Sequence, residues 1–383
     1  MGHPRRPATA SSGVTVTISP AAAPSAISAE EREALSEAIR DLVRRRADPA
    51  SARAAMRATP RIDRQLWQTL CSEIGVAALP IPEEFGGAGA TFAETAAVLE
   101  ELGRTLSPVP VFATALATAA LLLADDEEVN RQLLPAMAAG ERIATLCWAG
   151  DTGWITPGVT ADAGLLSGTA EYVIDGENAD LFLVLAGGGG ALTLHAVDAD
   201  AEGVTVTPLP VVDPSRPLAR VAFDEASGIA IASDSDLSTR LRSLCWALLS
   251  AEQVGGATAA LELTVDYTRS RKQFGRTIGS FQALKHRMAD MYASVETARS
   301  ISRAAVAAAT TGSADAGDLA AAAHVYCSEA FTSVTGEGIQ LHGGIGITAE
   351  HDIQLFFKRA HGSAQLFGQP HEVVAELSAH AFG

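Results

Sequence analysis

The hydrophobic pattern of this chain changes period twice, and the order of those changes leaves few folds open. From Ser28 the apolar positions recur at helical spacing. SAEEREALSEAIRDLVRRR opens on a capping serine, carries Glu31 at capping-box spacing and ends in arginines, as the helix dipole favours. RQLWQTLCSEIGVAAL predicts a second helix with Leu66, Leu70 and Ile74 on one stripe. After the loop PIPEEFGGAGA, the segments TFAETAAVLEELGRTL and VFATALATAALLLA continue as apolar helices, and the helical region runs to about residue 142. Near Ala144 the texture becomes that of strands. EYVIDG, LFLVLA, ALTLHAVDAD, VTVTPLPVV and ARVAFDEA are short β-rich runs separated by Gly, Pro and Asp.

From about Ser233 the helical period returns and lasts to the end. One long apolar helix is predicted from LSTRLRS to YTRSR. A second follows from FQALKHR, with Phe281, Leu284, Met288, Met291 and Val295 as its buried stripe. GDLAAAAHVYCSEAFTSVTGEGIQLHGG is a third, and EHDIQLFFKRAHGSAQLFG begins a fourth. Long helices with short links read as a four-helix bundle. The expected fold is therefore α+β. After a flexible tail over 1–27 come a helical domain over 28–142, a central small β-domain over 143–232 and a C-terminal helical bundle over 233–383. The glycine run at 187–190 joins two strand-like segments and precedes no helix, so it reads as a hairpin turn rather than a phosphate loop.

Bulk properties narrow the function. With 383 residues, 48% of them hydrophobic, a substantial core is expected. The formal net charge of −17 argues against a nucleic-acid binder, which needs a broad basic surface. No apolar run reaches bilayer length, and the Ala/Ser/Pro-rich start lacks the apolar core of a secretory signal. Cys71, Cys147, Cys245 and Cys327 are far apart, with no metal-ligand spacing, and read as reduced thiols of a cytosolic protein.

Against that acidic background, RSRKQFGRTIGSFQALKHRMADM packs six lysines and arginines into 23 residues. Alone, such a cluster reads as a solvated helix end. It does not stand alone. LWQTLCSEIGVAALPIPEEFGGAGATFAETAAVLEELGR, then GTAEYVIDGENAD, then YTRSRKQFGRTIGSFQALKHRMADM followed by GIQLHGGIGITAE together resemble the acyl-CoA dehydrogenase family, in family order and over nearly the whole chain after residue 28. The resemblance implies α,β-dehydrogenation of an acyl-CoA thioester with FAD, usually in tetramers, with an electron-transfer flavoprotein as acceptor. It implies that Arg271 and Phe274 reach across a subunit boundary to a neighbour's FAD. There, a guanidinium can grip pyrophosphate through paired charged hydrogen bonds, and the phenyl ring offers a flat apolar face. It also implies that Gln282 and Gln340 are polar contacts and that Gly343 and Gly344 let backbone approach the cofactor closely.

The chain departs from the family where the chemistry is done. Dehydrogenation needs a carboxylate to take the α-proton, and losing it costs several orders of magnitude in rate. The family keeps that glutamate in one of two places. By the resemblance, Phe367 or Gly368 stands at one, and Cys245 and Trp246 at the other; none is an acid. Glu252 lies two turns beyond Cys245, about 10 Å along the helix, and reads as a structural acid. An apolar helix would raise the Cys245 thiol out of the range of a base. At the register of Gly168 and Thr169, the family's flavin-side tryptophan and threonine become Tyr172 and Ile174, and isoleucine cannot hydrogen-bond a flavin. CWAGDTGWITPG does not align with the family loop at that point, and WITPG at Trp154 comes too early in the chain.

No catalytic residue and no metal ligand is therefore assigned to this chain. The expectation is one subunit of an α2β2 heteromer that completes an FAD site held mainly by a second acyl-CoA dehydrogenase-like subunit. That partner supplies the glutamate. Family analogy suggests a bulky substrate such as a steroid side-chain thioester, in cytoplasmic lipid metabolism. Two alternatives stand beside it: a self-sufficient oxidase or monooxygenase on the same fold, and a non-enzymatic scaffold.

Overall fold

The computed structural model describes residues 29–46, 49–188, 191–232 and 234–382. The expected tail over 1–27 and the capping Ser28 lie outside the described residues. Among the described residues six helices come first: α1 (Ala29–Arg46), α2 (Pro49–Ala55), α3 (Arg64–Thr69), α4 (Phe92–Gly103), α5 (Val111–Ala124) and α6 (Glu127–Ala138). Thr91 starts α4 with a capping box: its hydroxyl accepts from the Ala93 N–H at 3.1 Å, while Glu94 accepts from the Thr91 N–H at 2.8 Å. Glu94 also receives Arg32 at 3.1 Å, and Glu101 receives Arg40 at 2.6 Å, so two arginines tie α1 along α4. Residues Val111–Leu121 of α5 are buried all round, because this helix lies between the β-domain and the long helix that follows it.

The second predicted helix is shorter than its hydrophobic stripe suggested. After Thr69 the turn widens over Leu70–Ile74, and Gly75 takes φ +75° with its N–H on the Leu70 and Cys71 carbonyls. A glycine in that conformation terminates a helix. Val76–Leu79 then enter the core as irregular chain.

Ten strands follow: β1 (Ala144–Cys147), β2 (Ala149–Gly150), β3 (Gly153–Pro157), β4 (Val159–Asp162), β5 (Leu165–Ile174), β6 (Leu181–Gly188), β7 (Ala191–Asp198), β8 (Val204–Pro208), β9 (Leu218–Ser227) and β10 (Ile229–Ile231). Seven pair in the order β10-β7-β6-β4-β5-β9-β8, and β1 pairs parallel with β6 beside β4. β6 and β7 are antiparallel with Gly188 opposite Ala191, as a hairpin requires; the two residues between them lie outside the described set. One face of the sheet closes over Phe182, Val184, Val221 and Phe223. The other joins the main core with the N-terminal helices.

The C-terminal part holds α7 (Leu237–Ser270), a small hairpin of β11 (Lys272–Gln273) and β12 (Arg276–Thr277), α8 (Gln282–Thr311), α9 (Ala316–His342), α10 (Ile353–Ser363) and α11 (Pro370–Phe382). The predicted fourth bundle helix is thus two helices separated by residues 364–369. Of the expected α8 stripe, Met291 and Val295 are buried, whereas Phe281, Leu284 and Met288 are only half-buried. Among the described residues, no helix is long and apolar enough to cross a membrane.

Two glycines set how closely α4 and α7 cross. A Cβ on Gly255 would lie 1.8 Å from the Glu100 carbonyl oxygen, and one on Gly103 would lie 2.2 Å from the Glu252 carbonyl oxygen. Alanine at 255 gains about 1 kcal/mol of helix propensity. It must also push a backbone carbonyl aside, and overpacking of that kind costs about 3 kcal/mol or more. Gly255→Ala is therefore expected to lower the unfolding free energy by about 2 kcal/mol or more in urea denaturation, and an unchanged midpoint would refute the close crossing.

Candidate functional site

The break between α10 and α11 forms one wall of a crevice of about 480 Å³. Phe367 and Gly368 adopt φ +60° and +106° there. Two bundle side chains hold their carbonyls: the Trp246 indole N–H donates to Phe367 at 3.0 Å, and His324 Nε2 donates to Gly368 at 2.8 Å. Burial pushes His324 down to about 4, against the opposing pull of the Gly368 carbonyl, so at neutral pH it is an uncharged donor. Trp246 and His324 stack at 5.7 Å. From the opposite wall, Trp154 on β3 donates its indole N–H to the Gln365 carbonyl at 3.1 Å and lies 4.6 Å from the Phe367 ring.

Both places where a family glutamate was sought therefore converge here. Phe367 fills one and Trp246 is at the other, both buried and hydrogen-bonded together. The carboxylates lining the crevice are Asp213, Glu372 and Glu376. Each is engaged: Asp213 by Arg359, Glu372 by the Gln369 N–H at 2.8 Å, and Glu376 by Arg242 at 3.2 Å. Sequence reading set Trp154 aside as too early in the chain and did not single out α11. Only the packing of the β2–β3 hairpin against the helix break brings them to the crevice.

Tyr172 lines the crevice, 44% exposed at φ +55° in a bulge between Ala170 and Val173. Ile174 does not line it. Its carbonyl accepts the Thr145 hydroxyl at 2.6 Å and its side chain is buried in the core.

Behind the crevice lies a buried ionic cluster. Glu252 takes both Arg216 and Arg359; Arg359 also holds Asp213 and donates to Ser215 at 2.8 Å. Burial alone would raise the Glu252 carboxyl, but the two guanidiniums outweigh it and hold it below the ordinary carboxylate range. Such a group is a poor proton acceptor, which agrees with the structural reading of Glu252. Cys245 is fully buried, and burial pushes its thiol up, so it offers no thiolate base. Asp175 borders the same cluster and a small cavity of about 30 Å³. Burial raises it to about 6, opposed chiefly by Arg216.

The second cluster is at the far end of the bundle. Arg271 ends α7, the β11–β12 hairpin turns at Phe274 and Gly275, and Gln282 begins α8. Gln340, Gly343 and Gly344 close α9. Three contacts bring these ends together: Tyr267 on α7 stacks on His342 at 4.5 Å, Thr268 meets Met288 at 3.3 Å, and Arg287 on α8 donates to Glu337 on α9 at 2.6 Å. All six sequence-predicted residues are exposed. Phe274 is 90% exposed at φ +52°, and its ring leans edge-on to Phe281 at 6.1 Å. The Arg271 guanidinium forms no ion pair among the described residues. A Cβ on Gly343 or Gly344 would meet nothing within 4 Å, so open space lies over that backbone. Free guanidinium, exposed ring and bare glycine backbone suit a large ligand carrying both phosphate and a ring. No metal-holding cluster occurs among the described residues.

Known proteins resemble this chain over nearly its whole length. The family model described as Acyl-CoA dehydrogenase, N-terminal domain, matches residues 29–141, and that described as Acyl-CoA dehydrogenase, C-terminal domain, matches 247–380. Acyl-CoA dehydrogenase IpdE2 of Mycolicibacterium smegmatis is 42% identical over 353 residues, 92% of this chain and 99% of that relative. Among solved structures, a single-substitution variant of the Tcur3481-Tcur3483 steroid ACAD superposes with a TM-score of 0.86 at 30% identity, covering 92% of this chain and 98% of that one. The ChsE4-ChsE5 complex from Mycobacterium tuberculosis gives 0.85 at 27% identity, covering 93% and 98%.

The ionic cluster yields two expected outcomes. Glu252→Gln leaves two buried arginines facing each other and should cost about 3–5 kcal/mol of stability; a loss under about 1 kcal/mol in chemical denaturation would contradict the geometry. Asp175 behaves oppositely. Its folded value lies above its unfolded one, so its favourable contribution is complete below the unfolded value near 3.8 and is lost as pH rises through about 6. Asp175→Asn should therefore raise the melting temperature at pH 7.5, by the equivalent of about 1–3 kcal/mol, and give little gain at pH 4. Equal shifts at the two pH values would refute it.

Proposed function

The chain belongs to the acyl-CoA dehydrogenase family, and we propose that within it this chain is the subunit that completes an FAD site for a second dehydrogenase-like chain carrying the base. The observation that carries this reading is the separation of the two clusters. Where the reaction needs a carboxylate, Phe367 and Trp246 close the wall with apolar rings, and every acid nearby is engaged. At the other end of the bundle, Arg271, Phe274, Gln282, Gln340, Gly343 and Gly344 stand exposed, and Arg271 forms no ion pair among the described residues.

Those six residues fit FAD by their chemistry. Arg271 would pair with pyrophosphate, Phe274 would lie against a ring, the two glutamine amides would hydrogen-bond polar edges, and the Gly343–Gly344 backbone would come close where no side chain intervenes. FAD, when bound, supplies the acceptor for the β-hydride of an acyl-CoA thioester. This chain's contribution is to bind and orient, while the partner's carboxylate takes the α-proton. The half-buried Phe281, Leu284 and Met288 beside the cluster suit a subunit boundary there.

Further support comes from the relatives. Tcur3481-Tcur3483 and ChsE4-ChsE5 are each named as a pair of chains, and one is named a steroid enzyme. By analogy the assembly is an α2β2 heterotetramer in the cytoplasm that acts on a bulky, steroid-derived thioester in lipid degradation and passes electrons to an electron-transfer flavoprotein.

The test is to purify the chain alone and co-expressed with a dehydrogenase-like partner. Bound flavin and acyl-CoA oxidation are expected only in the co-expressed complex; a yellow, active oligomer of this chain alone would sink the reading. In the complex, Arg271→Ala should lower FAD affinity about 10- to 100-fold, the loss of one charge-assisted contact. Unchanged flavin content would exclude Arg271 from the site.

A further inference from the structure

Two helix ends meet at the exposed cluster, and a stack of three rings lies between them. Tyr267 is on the last turn of α7, and its carbonyl accepts the Arg271 N–H at 2.9 Å. Its ring stacks on His342 at 4.5 Å, and His342 is the last residue of α9, immediately before Gly343. His351 completes the stack, 4.4 Å from the His342 ring and 6.3 Å from Tyr267. The rings therefore set the spacing between Arg271 and the glycine backbone. The glycine turn itself is stiff. Gln354 on α10 donates to the Gly346 carbonyl at 2.7 Å, and a Cβ on Gly346 would lie only 2.7 Å from the Ile339 carbonyl oxygen.

The group that holds His351 in place comes from the other end of the sequence. His351 lies in the short connection between the glycine turn and α10, where the Ala349 and Glu350 carbonyls belong to no helix. Arg53 on α2 donates to both, at 3.3 and 3.1 Å, and also pairs with the Asp352 carboxylate. One guanidinium thus grips the chain on both sides of His351, which its fork of five donors allows. The helix is seated for this. Ala52 and Met56, beside Arg53, are buried in one cluster with Leu341, Ile353 and Phe356 of the bundle. The Arg53 side chain is only 21% exposed, so this contact is better shielded than an ordinary surface ion pair.

We propose that Arg53 is a positioning residue for the flavin site: by clamping residues 349–352 it holds His351 against His342, and so keeps the Gly343–Gly344 backbone at a fixed distance from Arg271. The inference rests on the reading of this cluster as one half of a flavin site. Arg53 acts through the turn rather than by touching FAD. A ligand gripped at two points loses affinity when those points are free to move, because binding must then order them. The clamp also ties the N-terminal helices to the cofactor turn, so a disturbance at α2 is felt at the flavin without any change in the residues that contact it.

Amide hydrogen exchange of the full chain reads the clamp directly. Arg53→Ala should speed exchange over 343–352 about tenfold or more and leave α4 and the sheet unchanged. In the co-expressed complex, stripped of flavin and titrated with FAD, the same variant should bind FAD about tenfold more weakly. Arg53→Lys should recover part of that loss, because an ammonium still reaches one of the three acceptors at a time. Unchanged exchange over 343–352 would overturn the clamp. Faster exchange across the whole chain, with no rescue by lysine, would overturn it too, since that marks a general loss of stability. FAD affinity unchanged in Arg53→Ala beside a loss in Arg271→Ala would overturn this inference and leave the flavin site standing. A wild-type complex that takes up no FAD would overturn the site itself, and this inference with it.

Discussion

Arg216 and Arg359 both reach Glu252, and each comes from a different part of the chain. Arg216 lies in the loop between β8 and β9, Glu252 in the middle of α7, and Arg359 on α10, while the Phe112 ring of α5 lies 4.8 Å from the Arg216 guanidinium. All three charged groups are buried. In a low-dielectric interior a charge without its partner is costly, so these elements cannot shift independently. The cluster fixes the register of helices, sheet and bundle at the point where they meet. The break after Ser363 follows directly. Ser363 bonds back to the Arg359 carbonyl at 2.7 Å and accepts from Gln253 on α7 at 3.4 Å. The next residues then leave the helix toward Trp246 and His324.

Periodicity made the three-part order legible, because long amphipathic helices and short alternating strands have different repeats. It made α7, α8 and α9 legible almost end to end. It failed where a single residue overrides the stripe: Gly75 ends a helix whose apolar spacing continues, and the positive-φ conformations at Phe367 and Gly368 split the predicted fourth helix. The ionic cluster was nearly invisible, since its members are 36, 107 and 146 residues apart. One signal was there. Glu252 is an acid inside the otherwise apolar run SLCWALLSAEQVGG, and a charge in such a place needs partners somewhere in the fold.

The exposed cluster was named through the family resemblance of two short segments. Arg271, Phe274 and Gln282 are close in sequence, and Gln340, Gly343 and Gly344 form a short motif of their own. Their meeting depends only on neighbouring bundle helices having adjacent ends. The crevice draws on β3, the β8–β9 loop, α7 and the helix break, so no short segment could announce it.

Restoring a base to this crevice would take more than one substitution. A carboxylate at position 367 would be as buried as Phe367 is now, and burial raises a carboxyl unless donors stabilise its charged form. The donors at hand are already used: the Trp246 N–H on the Phe367 carbonyl, the His324 N–H on the Gly368 carbonyl, and the Trp154 N–H on the Gln365 carbonyl. These three bonds hold the non-helical backbone of the break, where carbonyls lack helical partners. The groups that could have supported a charged base now hold the segment that would carry it. In this chain the wall's stability and a catalytic acid compete for the same hydrogen bonds, and the aromatic side chains are what that competition leaves in place.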